Sequence, residues 1–387
     1  MRVLIAPDCF TGTLTATQAA EAMAEGWLSS APHDDLTVLP LSDGGPGFLD
    51  VLERSLAAEA VAVTVSDPLG REVPAALLVT DRGGVRTAYL ETAQAAGLHL
   101  LGADERNPAL TSTWGVGQLL DAAMAEGADR IVVGLGGSGT NDGGAGMLAA
   151  LGAGPADVLA RGGLGLGELS EEDLLGLPDV RARFAGVDIV VATDVDNPLL
   201  GLDGASAVYA PQKGASPELA QALEGALGRF AEVAGRLLPG GTDLFTGVAR
   251  RLDRHPGAGA AGGLGFGLLL LGGHRVSGVE EVLRAVGFAD RLGATDLVVT
   301  GEGSLDWQSL HGKAVTGVAA AALERAVPAI VVAGQVFLGR RETMSLGLSG
   351  CYAVAETPEQ VDAAMADPVG TLTERVARVA RTWSPRR

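Results

Sequence analysis

The stretch Leu297-Val298-Val299-Thr300-Gly301-Glu302-Gly303 is a short apolar run that ends in a turn with two glycines and a carboxylate. A strand that is apolar at successive positions is buried on both faces, as in a parallel sheet covered by helices. Four similar runs each end at a glycine- or aspartate-rich turn: residues 3–6, 37–41, 131–133 and 330–333. We therefore predict a doubly wound α/β sheet of five strands, with a ligand over their carboxyl ends.

The segments between these runs predict helices and a second domain. Helical patterns cover residues 15–29, 119–126 and 313–324, whereas residues 61–80 and 87–91 predict an antiparallel meander with turns at 67–70 and 81–84. A chain of 387 residues is too long for one ordinary core. We place 1–56, 105–150 and 286–387 in a first domain, and 57–104 and 151–285 in a second α/β domain inserted into it.

Composition excludes several classes of protein. A net charge of −19 argues against nucleic acid as a partner, because binding to phosphate backbones needs clustered positive charge. Mean hydropathy is +0.27, but the most apolar run, 263–273, is too short to span a bilayer. The first eight residues predict a buried strand rather than a signal peptide. Cys9 and Cys351 cannot form a disulfide framework, so we expect a cytoplasmic protein.

Both lysines of the chain, Lys213 and Lys313, lie in short glycine-containing loops, whereas the other basic residues are arginines. An ammonium is a compact charge that suits a phosphate oxygen, and neighbouring glycines allow the backbone to approach a ligand closely. Two ordinary surface lysines would explain the same pattern. This observation alone leaves open whether the lysines bind phosphate or only lie on the surface.

Carboxylates follow several of the predicted strands. Aspartate often caps a helix or forms a turn, which would explain any one of them. It does not readily explain five carboxylates above one sheet edge. Carboxylates beside lysines suit magnesium-dependent phosphoryl transfer, in which an aspartate accepts the proton of the hydroxyl. The residues are Asp8, Asp43, Asp142, Glu302 and Asp306, and Asp194 and Asp196 follow a further apolar run at 189–192.

Other motifs are less specific. The chain has no Walker A sequence. Residues 134–139 and 257–262 match G-x-G-x-x-G. The first match follows a predicted strand, but no strand ending in an acidic residue comes about twenty residues later, and the second match does not follow a strand. A backbone anion site remains reasonable for either. Among the histidines only His311, next to Gly312-Lys313, is a candidate for a functional test. Cys9 has no paired histidine and is not expected to act as a nucleophile.

These motifs occur in an order that resembles the bacterial glycerate kinases over essentially the whole chain. The matching stretches are residues 5–12, 41–45, 105–115, 134–144, 194–206, 211–214, 256–263 and 300–313. The resemblance implies two different α/β domains, one of them a flavodoxin-like doubly wound parallel sheet. It also implies ATP-dependent phosphorylation of D-glycerate, usually at the 2-hydroxyl, in a cleft between the domains.

The resemblance and the chemistry together assign candidate roles. Catalytic roles go to Asp8, Asp43, Asp194 and Lys313. ATP contacts go to Gly136, Gly137, Ser138, Lys213 and Glu302. Substrate contacts go to Phe10, Asn141, Asp142, Asp306 and Gln308. Mg²⁺ is the expected ion, with its ligands unassigned, and a small hydroxy acid is the expected partner, without nucleic acid or membrane. A homodimer remains open.

Three positions depart from the family pattern. The family usually has Lys, Glu and Arg where this chain has Thr11, Pro46 and Ser304. All three follow predicted strands of the first domain, on the side of the expected crevice. A lysine and an arginine suit the glycerate carboxylate and the transferring phosphate. The changes therefore leave two alternatives open: a kinase for a related small hydroxy acid, and a catalytically weak paralogue that binds a metabolite.

Overall fold

The computed structural model describes residues 1–238, 251–310 and 313–385. These residues form the strands β1 (Arg2–Ile5), β2 (Asp35–Val38), β3 (Glu59–Ser66), β4 (Glu72–Arg82), β5 (Val85–Glu91), β6 (Arg130–Gly134), β7 (Asp188–Ala192), β8 (His274–Val276), β9 (Leu297–Leu305), β10 (Ala329–Val336) and β11 (Gly350–Ala353).

The α-helices within the same residues are α1 (Ala16–Ser30), α2 (Phe48–Ser55), α3 (Ala93–Ala96), α4 (Trp114–Ala125), α5 (Ala145–Ala150), α6 (Ala156–Leu159), α7 (Leu177–Arg183), α8 (Ala205–Tyr209), α9 (Pro217–Leu237), α10 (Ala260–Leu270), α11 (Gly278–Ala285), α12 (Phe288–Leu292), α13 (Ala314–Glu324), α14 (Arg340–Ser345), α15 (Pro358–Ala366) and α16 (Pro368–Trp383). Short 3-10 helices cover Leu98–Leu100, Gly163–Glu168, Glu172–Leu174, Pro211–Lys213, Leu252–Arg254 and Trp307–Leu310.

The chain divides into two compact units, and the first contains Met1–Asp43, Asp50–Leu56 and Ser277–Arg387. Its five strands are all parallel, in the order β11-β10-β9-β1-β2. This is the strand order of flavodoxin-like sheets. Helices α1 and α16 pack against each other, and a Cβ at Gly26 of α1 would overlap the carbonyl of Thr373. Trp27 is fully buried in the core that these helices form with the sheet.

The second unit contains Gly44–Leu49 and Ala57–Val276, with a sheet in the order β3-β4-β5-β6-β7-β8. Strands β3, β4 and β5 are antiparallel, which confirms the predicted meander. Strands β5 to β8 are parallel. The core of this unit contains buried apolar residues of α4, α5, α9 and α10 together with those of the sheet.

The domain boundaries expected from the sequence need correction. Residues 105–150 were assigned to the first domain, but β6 pairs with β5 and β7 and so belongs to the second sheet. Residues 277–285 belong to the first unit and 44–49 to the second. The fifth strand of the first sheet is β11. A continuous apolar run indicates burial on both faces, but it does not specify which of two sheets buries the strand.

Local signals position the helices as predicted. Thr15 begins α1 with a capping box: its hydroxyl accepts from the N–H of Gln18 at 3.2 Å, and Oε1 of Gln18 accepts from the N–H of Thr15 at 3.0 Å. Helices α4 and α13 cover the other two predicted segments. None of the described helices combines the length and apolar character needed to cross a membrane.

Candidate active site

A cavity of about 300 Å³ lies at the carboxyl end of the parallel sheet of the first unit. Its lining comes from residues that follow or end β1, β2, β9, β10 and β11, from Lys313 before α13, and from α15 and α16. Open α/β sheets bind ligands at this edge, because the loops after the strands converge there. Four of the predicted site residues with charged side chains line this cavity: Asp8, Asp43, Glu302 and Lys313.

Asp8 is held at the end of β1. Its N–H donates to the carbonyl of Gly301 at 2.8 Å, and its Oδ1 accepts from the N–H of Cys9 at 2.6 Å. The residue is only 8% exposed. Burial, and then the negative charges of Asp43 and Glu302, raise the pKa of Asp8 to about 8. A carboxylate with a pKa near the working pH is suited to accept a proton from a substrate.

Glu302 lies on β9 beside Asp8 and is 5% exposed. Burial raises its pKa to about 7, whereas Ser309 and the positive charge of Lys313 act in the opposite direction. Its Oε1 is buried and accepts no hydrogen bond from the described residues. A buried acceptor of this kind calls for an explanation, such as an ion or a ligand that would satisfy it.

Lys313 precedes α13 at the N-cap position, so its backbone is extended rather than helical. Its Nζ lies 3.9 Å from Oε2 of Glu302, and the side chain is partly exposed to the cavity. The separation is longer than a hydrogen bond. The ammonium is therefore close enough to balance the carboxylate charge and still able to contact a bound anion.

The other predicted residues of the first unit have mixed positions. Phe10 lines the cavity and is also buried in the core. Asp306 is not among the lining residues, but its charge contributes to the raised pKa of Glu302. Gln308 lies in the 3-10 helix Trp307–Leu310, and its side chain lies outside the described structure, as do His311 and Gly312.

The three departures from the family pattern do not lie together. Thr11 and Ser304 both line the cavity. Pro46 belongs to the second unit, where its ring lies so close to Gly137 that a Cβ there would meet it at 2.6 Å. The expectation that all three belong to the first domain is therefore corrected for Pro46. Two neutral hydroxyl residues line the wall where the family pattern has cations.

Lys213 is enclosed within the second unit. It is 1% exposed, and its Nζ donates to Oγ of Ser138 at 2.8 Å and to the carbonyl of Thr140 at 2.7 Å. Burial lowers its pKa to about 7, and the charge of Asp142 acts in the opposite direction. Ser138 and Lys213, both expected to contact ATP, thus bond to each other and hold the loop after β6.

Asp142 is fully buried and acts as a structural acceptor. Its Oδ2 accepts from the N–H and the hydroxyl of Thr113 at 2.8 and 2.9 Å, and its Oδ1 from the N–H of Gly144 at 3.0 Å. Burial raises its pKa against these hydrogen bonds. Asn141 is also buried, and its Nδ2 donates to Oγ of Ser206 at 3.0 Å. These contacts are those of residues that shape a loop. They agree with the alternative given above, in which an aspartate caps a helix or forms a turn.

The remaining predicted residues also lie in the second unit. Asp194 is partly buried, two residues after the end of β7. Gly136 and Gly137 follow β6, and Gly137 has a φ of 60°, which disfavours a side chain. The structure thus places Asp8, Asp43, Glu302 and Lys313 at one cavity of the first unit. Of the predicted residues in the second unit, Ser138, Asn141, Asp142 and Lys213 are buried, whereas Gly136, Gly137 and Asp194 are partly or fully exposed.

Sequence reasoning missed the cavity residues contributed by the last helices. Val361, Ala364 and Met365 of α15 line the cavity, as does Gln335 of β10. Their spacing of three and four residues is that of one helix face. The apolar run 330–333 ends at Gly334-Gln335, and this strand end is the signal that could have found Gln335.

Comparison with known proteins identifies relatives over nearly the full chain. A glycerate kinase of Bacillus subtilis is 41% identical over 359 residues, which is 92% of this chain and 90% of the relative. A glycerate 2-kinase of Escherichia coli is 38% identical over 341 residues, covering 87% and 86% of the two chains. A solved structure from Salmonella typhimurium LT2, assigned as a glycerate kinase 2, has a TM-score of 0.76 at 36% identity and covers 99% of this chain and 96% of that one.

The family model agrees with these similarities. The model of the glycerate kinase family matches residues 3–384, which include both sheets and the cavity-lining residues. The two-domain α/β fold predicted from the sequence is confirmed by the two sheets and by the solved relative. On these findings the chain belongs to the glycerate kinase family.

Proposed function

We propose that this protein is a cytoplasmic enzyme that transfers the terminal phosphoryl group of ATP to the 2-hydroxyl of D-glycerate. The observation that carries the proposal is that Asp8, Glu302 and Lys313 line one cavity at the carboxyl end of the first sheet. The family supplies the substrate class, and the cavity supplies the groups that phosphoryl transfer needs: a carboxylate to accept a proton and a cation for the phosphate.

Each of these residues has a role in the proposed reaction. The hydroxyl oxygen of glycerate attacks the terminal phosphorus, and the bond from that phosphorus to the bridging oxygen of ADP breaks. Asp8 accepts the hydroxyl proton, which its buried carboxylate can hold near neutral pH. Lys313 contacts the oxygens of the phosphoryl group, where its positive charge balances the negative charge that moves to ADP.

Magnesium fits the residues of this site. Mg²⁺ in kinases is bound by one or two carboxylates together with phosphate oxygens and water, rather than by an all-protein cage. The described residues contain no cluster of three or more His, Cys, Asp or Glu side chains arranged to hold a metal. Glu302 would hold the ion through its unpartnered Oε1. When bound, Mg²⁺ neutralises phosphate charge and orients the polyphosphate.

One observation favours a second candidate, a kinase for a related hydroxy acid. Thr11 and Ser304 line the cavity as neutral side chains. Neither can form the ion pair with a substrate carboxylate that lysine or arginine provides. The second candidate would act on a related small hydroxy acid that suits these hydroxyl side chains better than glycerate does, with the same phosphoryl donor and the same catalytic groups.

The decisive experiment measures ADP formation by the purified protein with D-glycerate and with a panel of C3–C5 hydroxy acids. Phosphorus NMR of the product separates 2-phosphoglycerate from 3-phosphoglycerate. We expect D-glycerate to be the preferred substrate and 2-phosphoglycerate the product, with Asp8→Asn as the inactive control. Preference for another acid would support the second candidate, and no ADP formation with any acid would overturn both.

A further inference from the structure

The cavity of the first unit has an apolar wall, which we define as Val354, Val361, Ala364, Met365, Pro368 and Leu372. Helix α15 contributes three of these residues, Val361, Ala364 and Met365, at the spacing of one helix face. None of the residues of α15 is fully buried, and Met365 is 59% exposed. The helix thus turns its apolar face to the cavity rather than to the protein core.

Helix α16 provides an internal comparison. It follows α15 directly and buries Leu372, Val376 and Val379 in the core of the first unit. Of these two consecutive helices, α16 buries its apolar face in the core and α15 does not. The apolar face of α15 is exposed inside a concave site. We therefore expect a ligand with an apolar surface to pack against it.

Polarity changes in one direction across the cavity. Asp8 follows β1 and Glu302 lies on β9, whereas Val354 follows β11, two strands beyond β9 in the sheet. The N–H of Val354 donates to the carbonyl of Ala333 on β10, which fixes this end of the wall to the sheet. Neighbouring strands are ~4.8 Å apart, so the apolar wall and the carboxylates are separated by on the order of 10 Å.

The change from carboxylates at one end of the cavity to apolar residues at the other indicates which ligands can fill it. Glycerate is a three-carbon acid with polar groups on every carbon, so it has no surface to place on an apolar wall. A nucleoside triphosphate carries a flat heterocyclic base at one end and its reactive phosphate at the other. We propose that the apolar wall binds the heterocyclic base of the nucleotide, with the triphosphate extending along the cavity towards Lys313. This inference rests on the proposed kinase function.

Gln335 supplies a polar group between the two ends. It lies on β10, where it pairs with Ser304 of β9, and it follows Gly334, whose carbonyl accepts from the N–H of Ala355. Gln335 is one of the residues that line the cavity. A side-chain amide both donates and accepts, so Gln335 can contact the edge of a base or a ribose hydroxyl.

The test uses Ala364→Leu. The larger side chain extends from the apolar wall into the cavity, where the base would bind, without adding charge or an aromatic ring. Calorimetry in the presence of magnesium measures binding of ATP, adenosine and inorganic tripolyphosphate to the full-length protein. We expect Ala364→Leu to weaken ATP and adenosine at least tenfold and to leave tripolyphosphate within twofold of the parent. The KM for the hydroxy acid should also remain within twofold.

Ala363→Leu is the matched control, because Ala363 is the exposed neighbour on the same helix and does not line the cavity. It should bind all three ligands like the parent, and equal melting temperatures of the two variants would show that both fold. Unchanged ATP binding in Ala364→Leu, or equal weakening of ATP and tripolyphosphate, would overturn the proposal. The binding measurement needs no turnover, so it remains decisive even if glycerate is not phosphorylated.

Discussion

The Nζ of Lys313 lies 3.9 Å from Oε2 of Glu302 at the carboxyl end of the first sheet. The two residues come from different elements, since Glu302 is on β9 and Lys313 precedes α13. The ammonium group at the start of α13 therefore lies near the carboxylate of β9. This pairing places a positive charge among the carboxylates of the cavity, where the proposed reaction would bring the phosphate of ATP.

Replacing Lys313 by alanine should abolish phosphoryl transfer with little effect on stability. The side chain is partly exposed and its ion pair is long, so the free energy of unfolding should change by no more than about 1 kcal/mol. Steady-state turnover and chemical denaturation measure the two effects. Near-parental turnover would show that Lys313 is an ordinary surface residue.

Replacing Lys213, in contrast to Lys313, should strongly lower the stability of the protein. Lys213→Met keeps the aliphatic stem but removes the two hydrogen bonds to Ser138 and Thr140, which leaves buried groups unsatisfied. We expect a loss of roughly 2–5 kcal/mol in the free energy of unfolding. Denaturation of Lys213→Met and Lys313→Ala side by side tests this contrast. A Lys213→Met protein as stable as its parent would contradict the structural role.

Asp8→Asn should stabilise the protein at alkaline pH while it removes activity. The folded-state pKa of Asp8, about 8, lies above the usual value of 3.8, so the folded protein retains the proton longer than the unfolded chain does. Stability associated with the protonated group is complete below pH ~4 and is lost as the pH rises to about 8. Asparagine cannot ionise, and its Oδ1 can still accept from the N–H of Cys9.

The melting temperature of Asp8→Asn relative to the parent measures this effect. The difference should be largest near pH 8.5 and small near pH 4, with a free energy on the order of a few kcal/mol at most. Asp296→Asn is a contrasting control, because Arg2 lowers the pKa of Asp296 to about 2 and its removal should destabilise at neutral pH. A pH-independent difference for Asp8→Asn would contradict the raised pKa.

Nucleotide binding should require a divalent cation. The cavity brings Asp8, Asp43 and Glu302 together, and these carboxylates would otherwise repel a polyphosphate. Calorimetry of ATP with and without Mg²⁺ should show much weaker binding without the ion. Glu302→Gln should reduce the gain from Mg²⁺, because a neutral amide is a poorer ligand. Equal ATP affinity in both conditions would count against a metal-bridged site.

Restoring the family cations should improve the use of D-glycerate. Thr11→Lys and Ser304→Arg both place a positive charge on the cavity wall. A charge-assisted hydrogen bond contributes about 1.5–3 kcal/mol, so a single contact at the lower bound corresponds to about tenfold. We expect a modest gain of about this size in kcat/KM for the double variant, because Pro46 still stiffens its loop. The neutral control is Thr11→Gln with Ser304→Gln. Efficient native activity and no gain would show that other residues hold the substrate carboxylate.

Much of the fold was predictable from local patterns. The apolar runs that end at Asp8 and Glu302 predicted parallel strands, and residues 61–91 predicted the meander. Both predictions succeed because strand burial and turn formation depend on the residue types of short stretches. The assignment of residues 105–150 to a sheet was not predictable in this way. Strand β6 has the same apolar composition as the strands of either sheet, and only its pairing with β5 and β7 decides its place.

The site shows the same division. The sequence by itself determined that acidic residues and Lys313 follow parallel strands, and the resemblance in its motifs determined the family. Only the tertiary structure decided that Asp8, Glu302 and Lys313 share a cavity whereas Lys213 and Asp142 are buried in hydrogen bonds of the second unit. Residue type and spacing specify what a side chain can do, but burial and partners depend on contacts between distant parts of the chain. The open apolar face of α15 belongs to this second kind of information, since the spacing of Val361, Ala364 and Met365 does not tell whether that face is covered.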